Sequence, residues 1–275
     1  MHPMHGREGG TPAFGVWSTV LVLLVAAGVY LLLARRARHR NPARGWRKWR
    51  SAAFLAGLGL LALALLPPLA PFAHTDFRGH MAQHMLIGMY APLGLVLAAP
   101  VTLLLRTLPA ARARQVTALL HSRPARLPAH PALALALSTG TLALLYFTPL
   151  FNVTMHHPAG HWLLHAHFLL SGCLFVHVIA GPDPAPARPG VPARLVYLSV
   201  AVAAHAVVAQ AVYAGFFVDI HAPISQVQGG AMIMYYGGDL AELMLATALV
   251  TTWRPVRRQP ESRNGPRPAV TTEAG

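Results

Sequence analysis

Seven apolar stretches, each meeting or approaching the roughly 20 residues that a membrane-crossing helix needs, constrain this chain more than any other feature. They run over about Phe14–Ala34, Ser51–Phe72, Gly79–Leu105, Pro131–Phe151, Pro158–Ala180, Arg194–Ala214 and Ile224–Trp253. Only helices or closed barrels satisfy their backbone groups in lipid. The sequence therefore predicts an all-α membrane protein, a seven-transmembrane-helix bundle forming a single domain over residues 1–253. Its composition agrees: 11% of residues are charged, against about 25% in a soluble domain. The first stretch does not read as a cleaved signal peptide, because its apolar run is too long and its arginines follow it.

The basic residues set the expected orientation. The chain carries 22 Lys and Arg against 8 Asp and Glu, a formal charge of +14. Twenty of the 22 fall in Arg35–Arg50, Arg106–Arg126, Pro182–Arg194 and the tail from Arg254, and the alternate loops hold only Arg7 and Arg78. By the positive-inside rule this predicts an external N-terminus and a cytoplasmic C-terminus. The same distribution argues against nucleic acid as a partner, since the charge is spread over four short segments that orient a protein in lipid. Residues 254–275 are polar and proline-rich and are expected to form a disordered cytoplasmic tail.

Sixteen histidines stand out in so apolar a chain. Eleven of them (His2, His5, His74, His80, His84, His156, His157, His161, His165, His167 and His221) fall on the predicted outer side. Two pairs have the spacing of ligands on one helical face: His80 with His84 at the start of the third stretch, and His161 with His165 at the start of the fifth. At about 1.5 Å rise per residue, the two pairs reach matching depths and can converge on one metal. His167 is turned roughly 200° from His165 on a helix of 3.6 residues per turn and is not expected to join them. The other reading of each pair is an interfacial anchor or an interhelical hydrogen bond. For the loop histidines it is a solvated side chain.

Methionines run beside the first pair, with Met81, Met85 and Met89 in an i, i+4, i+8 row and Met232 and Met234 opening the last stretch. Imidazole together with thioether suits copper, Cu(I) above all, and suits zinc or magnesium poorly. The candidate metal ligands are accordingly His80, His84, His161, His165 and Met85. Methionine is also ordinary filler in helical bundles. A second group, His205 with Asp239 and Glu242, places acids inside an apolar stretch, where they are costly and default to functional candidates. A proton or ion relay, a structural hydrogen-bond cluster and carboxylate support for a metal-bound imidazole all fit it, with Tyr213 within possible reach. The single cysteine, Cys173, excludes an internal disulfide framework. The chain has no P-loop, GxGxxG or GxSxG pattern, so neither a nucleotide cofactor nor a serine-hydrolase elbow is expected.

The stretch FRGHMAQHMLIGMYAPLGLVLAAP resembles the CtaG family of polytopic bacterial cytochrome c oxidase assembly proteins, through His80, Met81, Gln83, His84, Met85, Leu86, Ala91, Pro92, Ala99 and Pro100. Leu93 stands where the family often has a second proline. The His-rich helix ending in Gly181, Pro182, Asp183 and Pro184, and the pair Gly237-Gly238 with Trp253, extend the resemblance over roughly residues 70–253. The resemblance implies a non-enzymatic, multi-pass factor of the bacterial plasma membrane that helps build a haem-copper oxidase, with oxidase subunits and membrane lipid as partners. Copper as its cargo rests on the donor set above. A zinc hydrolase-like membrane enzyme, a haem-b carrier using one histidine on each of two helices, and a proton-coupled transporter are the alternative functions.

Overall fold

The computed structural model describes residues 11–43, 45–122, 125, 127, 130–155, 157–185, 188–218 and 220–252. His2, His5, His156, Asp219, Trp253 and the tail 254–275 lie outside the described residues. Every regular element among the described residues is helical. Six helical runs among the described residues are long and apolar enough to cross a membrane. They are α1 (Thr11–Arg40), α2 (Lys48–Leu65), the composite run Phe77–Thr107, α11 (Pro158–Ala180), α12 (Val191–Ala214) and α13 (Ile224–Thr251). The composite run comprises α4 (Phe77–Met85), a π-helical turn Leu86–Tyr90, α5 (Ala91–Leu97) and α6 (Pro100–Thr107), and α3 (Leu69–Thr75) precedes it. Helix α7 is Ala110–Leu120.

Three boundaries differ from the sequence expectation, and prolines or a cap explain each. The second stretch is broken after Leu65, where Pro67 and Pro68 supply no amide hydrogens, and the chain resumes as α3. The third starts at Phe77 because the extended Asp76 caps it, accepting a hydrogen bond from the Arg78 amide at 2.8 Å. The fourth stops short, at Tyr146: α8 (Pro131–Leu135), a π turn (Ala136–Gly140) and α9 (Thr141–Tyr146) span 16 residues, roughly 24 Å at helical rise. Pro149 disfavours helix at Thr148, and the chain turns into α10 (Leu150–Met155).

The composite run is the axis of the bundle, and glycines let its neighbours reach its backbone. A Cβ on Gly94 would lie 2.8 Å from the Gly57 amide nitrogen, and one on Gly57 would lie 2.9 Å from the Ala91 carbonyl, so α2 and α5 cross glycine to glycine. Pro92 has no amide to offer the Gly88 carbonyl four residues back, and the helix opens there into its π turn. Gly172 of α11 lies against that same Gly88 carbonyl, at a distance no Cβ could enter. The run ends at Ala99, left-handed at φ +56°, and restarts at Pro100. The Asp183 carboxylate accepts hydrogen bonds from the Val101 and Thr102 amides at 3.0 and 2.7 Å and from the Thr102 hydroxyl. Two motifs far apart in sequence, Ala99-Pro100 and Gly181–Pro184, are thus one structural device.

Candidate functional site

Histidine spacing becomes convergence in three dimensions. Helix α4 carries His80 and His84 on one face, with ring centroids 3.9 Å apart, and α11 carries His161 and His165 the same way, at 4.1 Å. Across the two helices, His84 and His165 lie 5.8 Å apart and His80 and His161 lie 6.3 Å apart. A first-row metal binds imidazole nitrogen at about 2.0–2.1 Å, so two imidazoles sharing one ion place their centroids roughly 5–6.5 Å apart. Both cross-helix separations fall in that interval. As the rings stand, no three His, Cys, Asp or Glu side chains among the described residues form a closed coordination shell.

His80, His84 and His165 are buried. His80 Nε2 and both ring nitrogens of His84 and His165 lack a hydrogen-bond partner. Unsatisfied buried polar atoms of this kind are uncommon and call for an explanation. Phe77, Phe151 and Phe168 pack against the rings and hold them in place. The neighbouring Gln83 is fixed by donating to the Ala64 carbonyl at 2.8 Å.

The cluster forms the wall of a vestibule of about 990 Å³ at the end of the bundle where α4 and α11 begin, with His74, His80, His161 and His165 among its lining residues. Sequence alone leaves His74 as either a recruiting ligand in a loop or a solvated side chain. It sits on α3, its ring 5.0 Å from that of His161, and so joins the cluster. The signal was Asp76: recognising it as a helix cap isolates the short preceding helix that aims His74. Asp76 also lines the vestibule, but Arg78 holds it through a 2.6 Å ion pair, and hydrogen bonding to that guanidinium keeps its pKa below the ordinary carboxylate value. His221 lines the vestibule as well, and His157 is exposed. His167 faces away, bonded to the Leu137 carbonyl and the Thr141 hydroxyl at 3.0 Å each, as its angular position predicts.

Met85 does not share the vestibule. It lines a separate cavity of about 80 Å³ deeper in the bundle, together with Met81, Met89 and Met234. His84 lines that cavity too, whereas His80 and His165 line the vestibule. At the cavity wall His205 Nδ1 lies 3.5 Å from Glu242 Oε1, both side chains buried. Asp239 is not part of this pair. It is exposed on α13, since three residues still leave it about 60° around the helix from the buried Glu242 and the bundle interface here is narrow. Tyr213 is likewise exposed and does not reach the pair.

The fold and site define a class: a multi-pass helical membrane protein with a histidine-walled vestibule at one end and a thioether-lined cavity beneath it. The family model for the cytochrome c oxidase caa3 assembly factor, Caa3_CtaG, matches residues 28–255, and the chain belongs to that family. Uncharacterized proteins of Mycobacterium bovis and Mycobacterium tuberculosis are each 34% identical to it over 263 residues, covering 88% of this chain and 40% of theirs. One of Mycobacterium leprae is 32% identical over 236 residues, covering 78% and 36%. The chain thus spans about two-fifths of the length of these relatives. No solved structure matches it.

Proposed function

We propose that this protein is a cytochrome c oxidase assembly factor of the bacterial plasma membrane that takes up copper at its external face and delivers it to a subunit of a haem-copper oxidase. In this reading the short segment Pro131–Tyr146 completes seven spans, the N-terminus is external, and the vestibule opens outward. His80, His84, His161 and His165 receive the ion, with His74 at the rim. One observation carries the proposal: two HxxxH pairs on separate helices converge at metal-sharing distances, with buried ring nitrogens left unpartnered. A set of imidazoles with no carboxylate bonded to them among the described residues suits a cargo that must leave again. Among the described residues the vestibule carboxylate is Asp76, and its engagement by Arg78 weighs against the zinc-hydrolase alternative.

The test is the copper content of the purified full chain loaded anaerobically with Cu(I). His80→Ala/His161→Ala is expected to hold one copper fewer per chain than the wild type, and cells carrying it are expected to lose oxidase activity at limiting copper. Equal copper in the two samples would overturn the assignment.

A further inference from the structure

His84 stands between the vestibule histidines and a deeper cavity. Its ring belongs to the vestibule cluster, 3.9 Å from His80 and 5.8 Å from His165, and it also lines the deeper cavity. That cavity, about 80 Å³, is several times the roughly 10–15 Å³ that one water needs. Most of its wall is apolar, yet three kinds of donor point to a ligand. Thioethers come from Met85 and Met89 on the composite run and from Met234 on α13. Imidazoles come from His84 and His205, and a carboxylate comes from Glu242. His205 Nε2, Glu242 Oε2 and both His84 nitrogens are buried without a hydrogen-bond partner.

We propose that this cavity is a second, intramembrane station for a soft monovalent cation, Cu(I) by chemical class, and that His84 passes the ion between vestibule and interior. Direction of entry rests on the functional reading above, whereas the inner station stands on its own donors. Thioether and imidazole are the ligands Cu(I) selects. Glu242 answers the remaining difficulty, because one cation beside one carboxylate leaves the buried site near neutrality, and a lone buried charge is severely penalised. Gly238 supports the arrangement: any Cβ there would run into the His205 ring, so this position keeps His205 seated against α13. Met81 also lines the cavity, but its sulfur is engaged by the Tyr146 hydroxyl at 3.7 Å, so the ion is assigned to Met85, Met89 and Met234.

Copper stoichiometry and X-ray absorption at the copper edge, on the full chain in detergent, test this. The wild type is expected to bind two Cu(I), with sulfur among the scatterers. Met85→Leu/Met89→Leu/Met234→Leu conserves side-chain volume and so preserves packing. It is expected to retain one copper with nitrogen scatterers only and to melt within a few degrees of the wild type. Glu242→Gln, which leaves the thioethers in place, is expected to weaken the second copper about tenfold or more. A wild type holding one nitrogen-ligated copper, lost in His80→Ala/His161→Ala and indifferent to the leucines, would overturn the inner station and leave the vestibule reading intact. One sulfur-ligated copper, lost only with the leucines, would do the reverse. A single copper lost in both variants would mean one site spanning both compartments and would overturn the second station.

Discussion

Gly238 and His205 show how much one hydrogen can decide. A methyl group at position 238 would overlap the His205 ring, whose Nδ1 also lies 3.5 Å from the Glu242 carboxylate, one turn along the helix from position 238. Overpacking of this kind costs about 1–3 kcal/mol. Gly238→Ala is therefore expected to lower the melting temperature in detergent, while the same substitution in a His205→Ala background costs much less. That coupling is what a double-mutant cycle measures. Additive losses would show that the ring does not depend on the glycine. The sequence marked Gly237-Gly238 only as a place of close helix packing, because a periodicity cannot say which side chain from another helix fills the gap. It did place His205 and Glu242 together, through their shared improbability in an apolar run. Asp239 was misassigned because adjacency on one helix is a weaker constraint than which flank that helix buries.

At the scale of elements, the clearest lesson is that apolar runs and helices are different objects. Hydropathy read Ser51–Phe72 and Pro131–Phe151 as single spans, but prolines at 67, 68 and 149 break them, and the broken pieces aim His74 and shape the vestibule wall. The Ala99–Pro100 corner has the same character. Restarting a helix beside a left-handed residue leaves amide hydrogens unpaired, and Asp183 from the far end of α11 accepts those of Val101 and Thr102. Arg188 closes the opposite terminus, donating to the carbonyls of His177 and Gly181. Replacing the buried Asp183 by alanine strands two part-buried amides and a hydroxyl, at about 1 kcal/mol or more. A Asp183→Ala chain should melt several degrees lower, with Asp183→Asn intermediate because an amide oxygen still accepts. Unchanged melting in both variants would mean that the corner holds without its cap. No local signal linked these two motifs, since the contact spans about eighty positions.

For the molecule as a whole, the argument depends on which way it sits in the membrane, because a vestibule can load an external ion only if it opens outward. The distribution of basic residues favours that orientation at both ends of the bundle. The vestibule residues lie at the end of the bundle whose loops carry almost no Lys or Arg, and the amphipathic α7, with Arg112 and Arg114, lies on the connection at the basic end of the composite run. The matched depth of the two histidine pairs was legible in the sequence, whereas whether the two helices turn those faces toward each other was not. The division into two compartments was not legible either, since it depends on which neighbours His84 and Met85 meet once the helices pack. Orientation is testable with the chain's own lone thiol removed. In a Cys173→Ser background, Thr75→Cys at the vestibule rim is expected to react with a membrane-impermeant maleimide on intact cells. Gln115→Cys, exposed on α7, is expected to react only after the membrane is opened. Bound Cu(I) should further slow labelling at Thr75→Cys, which adjoins His74, and leave Gln115→Cys unaffected. The opposite labelling pattern would put the histidines on the cytoplasmic side, where the same ligands would serve to load copper from within or to export it, and uptake from outside would have to be abandoned.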